Sequence, residues 1–575
     1  MLLRQRSSAP ALALLVGVTA IVALAGCGRE EAPTPGAAPP GSSEPSDRPA
    51  ANRVPQDPET APRTEAVHWL SAAGSIAGEP AACMDRAGRL WTAWLAWGGG
   101  APTLEVVCHR RSATGWSPSI RGRLEEHDPG LGFVRLAAFG EGAYAVYESG
   151  VGEDRRVVGR ALSVEGERLG VDRREVIARG GLSPDLAAGA AGELVAVWQQ
   201  LDGEAYDIAW RRRTSAGWEA ESHSTETPWD EWSPRAAAGP DGSVWLAWDG
   251  YVEASFDVFC FGPLGAPGEG LHRIAGSERY EASPDLAVDR EGRPWIAYEV
   301  APSFGIGGAV REQRDVELVR LEADGRTRAA SLEGSLALGG QLPRVTLEGE
   351  GLLLTVRRND PPYFPANSKN ITNQGLHHAW STWALRLEGA DWEVRAVDGA
   401  SGDNEETSCL VADGGMLFAV LAGDARREAF DEADLWVEVL EQDWRVGVTP
   451  LGAAGDRPAL GPARATAPLP DPAAHVPRAR DARWLFGDLH RHTHLSRCAG
   501  DADGTRLDTY RYARGPGALD FVSITDHFQH LSRWSWWRSL RDVERYHAPP
   551  SLVVLPGLER FLMRVVALHV AQGPP

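Results

Sequence analysis

Cysteine is scarce in this chain and badly placed for crosslinking: there are six in 575 residues. Cys27 closes an N-terminal apolar run. The other five, Cys83, Cys108, Cys260, Cys409 and Cys498, form an odd, scattered set, which excludes a disulfide framework. Cys83 and Cys108 can fall within one repeat unit, but on strands that are not neighbours. Positive charge is also in deficit. A net charge of -21 and a pI near 5.2 exclude nucleic acid as a partner held by bulk electrostatics. No second long apolar run follows the first, so no transmembrane helix is expected beyond it. What is present is enough apolar content, 43%, and enough length for several large cores.

The first 27 residues, MLLRQRSSAPALALLVGVTAIVALAGC, set Arg4 and Arg6 ahead of an uncharged apolar stretch from Ala9 to Ala25. Leu24-Ala25-Gly26-Cys27 resembles the lipobox of bacterial lipoproteins, which is cleaved before a cysteine that then carries lipid. The resemblance implies lipidation at Cys27 and a lipid-anchored place in the bacterial envelope. Gly28 rather than aspartate after the cysteine points to the outer membrane. An ordinary membrane anchor is the other reading of the same run. Residues 28–65 are dominated by Pro, Gly, Ser, Ala and Glu, the composition of a disordered tether.

Between about 66 and 450 the chain repeats itself. Pro184, Pro234 and Pro284 each follow a serine and are evenly spaced by 50 residues. Each opens a unit that continues into a second strand: Val195 to Trp198, Val244 to Trp248, Trp295 to Tyr298. Weaker copies begin at Pro80, near Val134, at Pro343 and near Ser408, so seven copies fit. Within a copy the pattern is strand, Asp/Gly turn, strand with an aromatic, then a further alternating strand. A turn before tryptophan often closes it, as at Gly115-Trp116 and Gly217-Trp218. Four short strands repeated seven times indicate a mainly β fold, a seven-bladed β-propeller. The D-x-x-G-x-x-W element resembles sialidase-like propellers only loosely. It lies between first and second strands, and no residues can be assigned to the arginine triad and Tyr-Glu pair that a sialidase needs, which argues against glycosidase activity. The 22 tryptophans recur at equivalent places, which assigns them to blade packing rather than to carbohydrate. The segment Arg358 to Trp380, with His377-His378, interrupts its blade and reads as a ligand or domain-contact loop. Residues 451–480 return to Gly, Ala and Pro, the composition of a linker.

The last stretch, 481–575, carries the chemistry. FGDLHRHTHLSRCAGDADG places His490 and His492 on one face at the end of a strand built from Trp484, Leu485 and Phe486 and expected to be buried. Two imidazoles so placed suit one borderline metal, with Asp501 or Asp503 adding an oxygen. A helix from Asp508 to Arg514 and a second strand from Leu519 to Thr525 then deliver Asp526 and His527 to the same edge. A third strand, Leu552 to Leu555, runs into Pro556-Gly557-Leu558-Glu559 and brings Glu559. Functional groups at strand ends are usual in α/β folds.

The motifs HRHT after GDL, TDH and PGLE, in that order, resemble the first three motifs of the PHP (polymerase and histidinol phosphatase) superfamily, more narrowly of PHP-like bacterial proteins whose first motif reads GDLHxHT. The resemblance covers about the last 95 residues. It implies a distorted α/β barrel holding two or three divalent ions, zinc, manganese or iron, that promote phosphoester hydrolysis. Carried over, His490, His492, Asp503, His527 and Glu559 are the metal ligands. Asp526 stands beside them as the catalytic-site carboxylate, orienting a ligand or moving a proton. The superfamily's later histidines and closing Asp-x-His pair have no good counterpart here; His569 alone is a candidate. The domain is therefore expected to be a partial, incomplete barrel. His494, His530 and His547 read as surface or supporting residues, Cys498 as a soft ligand or a spectator thiol, and Trp534, Trp536 and Trp537 as the cover of a core.

Two functions follow. One is an envelope lipoprotein with a metal-dependent hydrolase domain acting on a small phosphorylated molecule. The other is a non-catalytic propeller scaffold, its ligand or protein partner undefined, carrying a remnant of such a domain.

Overall fold

The computed structural model describes residues 67–112, 115–116, 119–266, 268–301, 314–333, 340–360, 379–400, 408–423, 444–475, 485–496, 504–527 and 531–559. Among them, seven antiparallel sheets of four or five strands follow one another along the chain and form a β-propeller. Their innermost strands are Ile76–Met84, Gly132–Phe139, Leu182–Ala188, Glu231–Ala238, Tyr280–Val288, Gln341–Glu348 and Cys409–Asp413. These contain or begin beside the seven positions where the sequence repeats. The ring is closed by the short strand His68–Trp69, which pairs antiparallel with Arg445–Gly452 as the outermost strand of blade 7. A ring closed by its own first strand leaves no long free edge between first and last blades.

The Asp/Gly turn between first and second strands is held by a side chain. Asp85 Oδ1 accepts from the amides of Ala87 and Arg89, and its Oδ2 accepts from Trp91 Nε1 at 2.8 Å. Asp289 repeats this with Glu291, Arg293 and Trp295. Aspartate and tryptophan six residues apart therefore form one local unit. Trp91, Trp198, Trp248 and Trp295 are fully buried in the cores of and between blades. The aromatic recurrence is packing.

The Ser-Pro element has a backbone cause that its composition does not display. In six blades the register slips at this point of the innermost strand, and the residue before the proline, or before its equivalent, has positive φ. These residues are Glu79, Phe133, Ser183, Ser233, Ser283 and Leu342, with φ between 47° and 53°. Each is the extra residue of a β-bulge, which turns the strand at the mouth of the ring. Five of the freed amides find an acceptor on the preceding blade. Ser183 N–H donates to Glu148, Ser233 N–H to Gln199, Ser283 N–H to Asp249 and Leu342 N–H to Glu299, while Phe133 N–H donates to Glu79. A buried amide without such a partner would cost about 1–3 kcal/mol, so the blades are tied together one after another.

The segment after blade 7, read from composition as a linker, runs back across the neighbouring blades. Gly455 and Asp456 bridge to Leu352 and Leu387 of blade 6; Arg464–Ala465 pairs with Arg326–Ala329 of blade 5; Ala467 bridges to Arg273 of blade 4. It is a strap along the ring.

Beyond it lies a small α/β unit. Three parallel strands stand in the order Gly487–Arg491, Phe521–Ile524, Val553–Pro556. Helix α1 (Arg506–Arg514) connects the first two, and helix α2 (Arg533–Tyr546) the last two. Thr505 and Asp508 form a capping box that starts α1, and Ser532 caps α2. The expectation of a buried first strand is not met: Leu485, Phe486 and Leu489 are 69%, 66% and 55% exposed. The two helices turn instead toward the propeller mouth, so one face of the sheet is covered and the other is open. Tyr510, Ala513, Val522, Ile524, Tyr546, Leu552 and Val554 share a single core with Leu182, Tyr206 and Trp232 of blades 3 and 4.

The seam between propeller and helices is made of arginine. All but one of the 58 Lys+Arg residues of the chain are arginine. Arg538, Arg541 and Arg545 lie on one face of α2, at i, i+3 and i+7. Arg541 binds Glu79, Arg545 binds Glu148, Arg511 of α1 binds Asp249 at 2.5 Å and Arg514 binds Asp230 at 2.7 Å. Glu148 and Asp249 thus serve twice, on a bulge amide of the next blade and on a helix guanidinium. Trp534 is fully buried against Trp444 and Gly78, and Trp537 stacks on Trp97. Among the described residues no helix is long and apolar enough to cross a membrane.

Candidate metal centre

Parallel pairing brings the three motifs to one edge. Thr525 N–H donates to Arg491 O, Glu559 N–H donates to Asp526 O, and His527 and Glu559 form a parallel bridge beyond the strands. Gly487 is required at the start of the first strand. A Cβ there would lie 2.3 Å from the Phe521 ring on the central strand, so any larger residue would push the HRH strand out of register.

At this edge His490 Nε2 lies 3.0 Å from Glu559 Oε2, His492 Nε2 lies 2.7 Å from the same oxygen, and the two imidazole nitrogens are 3.2 Å apart. His527 Nδ1 is 3.4 Å from Glu559 Oε2, and its ring packs against that of His492 at 4.6 Å. Three imidazoles from the first two motifs thus converge on one carboxylate oxygen of the third. The donor set, imidazole nitrogen with carboxylate oxygen, fits a borderline divalent ion, and the first three donors are close enough together to share one. His490 is exposed while His527 is buried, so the cluster opens to solvent on the His490 side.

The electrostatics agree with that arrangement. Burial acts to raise the pKa of Glu559, but hydrogen bonding to His490 and the nearby His527 and His492 hold its carboxyl below the ordinary range. Burial lowers His527, against the pull of Glu559, which favours the neutral imidazole that ligates metals.

Asp526 does not face the cluster. It is 2% exposed, and its oxygens accept from Thr493 N–H at 2.7 Å, Thr493 Oγ1 at 2.8 Å and Ser496 Oγ at 2.7 Å. Ser496 Oγ in turn accepts from His527 N–H. Asp526 therefore anchors the turn after HRH to the TDH loop, and Asp488 holds the His490 amide from the other side. His494 is buried rather than on the surface: its N–H donates to Gly504 O, and its ring meets Trp380 edge to face at 6.3 Å. Trp380 ends the segment read as an insertion in blade 6, but it lies in the strand Ala379–Glu388, paired with Asn359.

Asp501, Asp503, Cys498, His530 and His569 lie outside the described residues, as do Cys27, the tether and most of the inserted loop. The residues that sequence reasoning missed are those of the helix seam. A signal existed for two of them, Glu148 and Asp249. The polar residue after the second-strand aromatic recurs in VYES, VWQQ, AWDG and AYEV, giving Glu148, Gln199, Asp249 and Glu299.

No family model matches the chain, and no curated protein matches it. Among solved structures it is similar to the polysaccharide lyase Uly1, with a TM-score of 0.42 and 10% identity over 68% of this chain and 90% of that one. A PL25 ulvan lyase bound to -[GlcA(1-4)Rha3S]- gives 0.41 and 9% over 70% and 96%. The α-L-arabinanase of Penicillium chrysogenum gives 0.35 and 13% over 51% and 94%. At these TM-scores the likeness carries nothing about chemistry.

Proposed function

We propose that the chain is a bacterial envelope lipoprotein, anchored through Cys27, whose C-terminal unit is a PHP-like metal-dependent hydrolase of phosphoesters. The observation that carries this reading is the convergence of His490, His492 and His527 on Glu559 Oε2. Three motifs that resemble those of one superfamily, in its order, carry these groups.

In this reading His490, His492, His527 and Glu559 hold the cation, with Asp503 as a further ligand. Such an ion, zinc, manganese or iron, supplies Lewis acidity and an activated water for attack on phosphorus. Glu559, kept ionised, offsets the cation's charge and fixes the two strand-end imidazoles relative to each other. Asp526 is a positioning residue: it locks the Thr493–Ser496 turn, and through Ser496 the backbone of His527. The open His490 side admits a small phosphorylated molecule.

The test is metal content by mass spectrometry on the purified full chain, beside a His490→Ala/His492→Ala variant, followed by phosphomonoester and phosphodiester screens. Two or more equivalents in the wild type, lost in the variant, support the reading. No metal in either overturns it.

The second reading, a propeller scaffold with a non-catalytic remnant, is favoured by the seam. Arg511, Arg538, Arg541 and Arg545 close the propeller mouth, a structural duty independent of metal. Metal-free protein that still folds and keeps a partner would support it.

A further inference from the structure

Of the ten large apolar side chains exposed among the described residues, seven belong to the small α/β unit, Leu485, Phe486, Leu489 and Leu555 among them. Single apolar residues scattered on a surface need no explanation, whereas a cluster marks a contact. The register of the sheet shows which side they occupy. Gly487 stands opposite Phe521, Phe521 opposite Val553, and Ser523 opposite Leu555. Val522 and Val554, which alternate with these, lie in the core shared with the propeller. Side chains alternate across a strand, so Phe521, Val553 and Leu555 point the other way, to the open face. The Phe521 ring lies over the bare backbone of Gly487, where a Cβ would approach it to 2.3 Å. Leu485 and Leu489, two residues on either side of Gly487, extend the apolar face over the first strand.

Parallel sheets are covered on both faces, because their strands are apolar on both sides. Here α1, α2 and the propeller cover one face only. The chain itself supplies material for the other. Beyond Glu559 it runs on as RFLMRVVALHV, residues 560–570, outside the described residues. Eight of these eleven residues are apolar and none is acidic, in a chain of net charge -21. The run starts at the rim of the open face, since Glu559 is fixed there by its N–H bond to Asp526 O and its bridge to His527. By strand rise and spacing, Leu485 at the far corner is about 20 Å from that rim. Eleven residues span about 16 Å as a helix and about 36 Å extended, so the run covers most or all of the face in either form. A fourth parallel strand on the free edge competes poorly. Parallel pairing needs a crossover of about a dozen or more residues, which would consume the apolar run.

We propose that residues 561–570 lie across the open face of the sheet, their apolar side chains against Leu485, Leu489, Phe521, Val553 and Leu555. The α/β unit then has the usual two covers: the arginine-bearing helices toward the propeller and this segment toward the outside. Because the segment hangs from Glu559, its docking also steadies the residue on which the three imidazoles converge. The inference stands on the apolar face and does not depend on the hydrolase reading.

The experiment replaces Leu485 in the full chain by the photo-crosslinking residue p-benzoylphenylalanine. Leu485 is exposed, so the larger ring is accommodated, and it stands at the corner of the face farthest from Glu559. A link from it therefore reports crossing of the sheet rather than nearness in sequence. Irradiation and peptide mapping are expected to join residue 485 to residues 561–570 of the same chain, at monomer mass. Adducts at dimer mass give the face to a second copy, adducts with added phosphatidylcholine vesicles give it to a lipid surface, and no adduct gives it to solvent; each overturns the proposal. Phe561→Asp with Val566→Asp, added to the same chain, places two charges against apolar surface. These substitutions should abolish the link and raise bis-ANS emission. A link that survives both charges reports the tether alone and also overturns the proposal.

Discussion

Arg545, near the end of α2, meets Glu148 of blade 2 side by side: Nε lies 3.0 Å from Oε2 and Nη2 lies 3.0 Å from Oε1, across 397 residues of chain. Both residues are 2% exposed at their side chains. The same carboxylate takes the bulge amide of Ser183, so one residue ties blade 2 to blade 3 and to the helix.

Breaking that pair leaves an uncompensated charge in a closed seam. Arg545→Ala is expected to cost about 3–5 kcal/mol, a tertiary loss rather than a local one. Glu148→Gln keeps an acceptor for the Ser183 amide and should cost less. Urea denaturation of the two variants checks the order, and proteolysis of residues 485–559 shows whether the α/β unit is released first.

Gly78 is the contact point of Trp534. A Cβ at residue 78 would sit 2.4 Å from the indole, which is fully buried against Trp444. Gly78→Ala must displace the ring or the strand, an overpacking effect of about 1–3 kcal/mol. Trp534→Ala, which empties the site, should cost about 3–5 kcal/mol. Tryptophan emission and thermal denaturation report both; a neutral Gly78→Ala would mean that α2 does not dock here.

Stability should respond to pH at two named carboxyls, with opposite signs. Burial pushes Glu231 up to about 8, in spite of hydrogen bonds from Thr225 Oγ1 and Ile208 N–H. Its folded value lies above the ordinary 4.5, so folding takes up a proton. That contribution is full below pH 4.5 and is lost as pH rises through 8. Glu79 runs the other way. Burial acts to raise it, but Arg541 and Arg538 hold it at about 2. Its contribution is present above pH 4.5 and is lost as pH falls toward 2. Denaturation series from pH 2.5 to 8.5 should show a flatter alkaline limb in Glu231→Gln and a flatter acid limb in Glu79→Gln.

Asp526 touches none of the cluster nitrogens yet should govern them. Asp526→Asn replaces an acceptor with a donor opposite Thr493 or Ser496 and loosens the turn. On the hydrolase reading, metal affinity should fall about 10–100-fold with every ligand intact. Metal titration of the variant measures this, and unchanged affinity would reduce Asp526 to a fold residue.

The 50-residue spacing of Pro184, Pro234 and Pro284 was enough to count the blades, because each repeat is one hairpin-rich unit that cannot bury its faces alone. The grouping of HRHT, TDH and PGLE at one edge was legible because parallel strands linked by helices put their C-terminal ends together. What sequence could not show was direction. The first strand of the α/β unit reads apolar and is exposed, since its helices face the propeller and not the free side of the sheet. The arginines of α2 carried no assignment from sequence and are the buried seam.

Local chemistry, then, was set by the sequence alone: the turn aspartates bonded to their tryptophans, the caps of α1 and α2, and the donor types at the strand ends. Tertiary structure alone decided the charge partners. Glu148, Asp249 and Glu299 recur one per blade, but only closure of the ring turns them inward, and only docking of the helices brings guanidiniums to Glu148 and Asp249. The alternation of Arg135, Asp185, Arg235, Asp285 and Arg344 likewise exists only around the axis. Residues 50 to 59 apart in the chain become neighbours there, and electrostatic energy depends on distance in space.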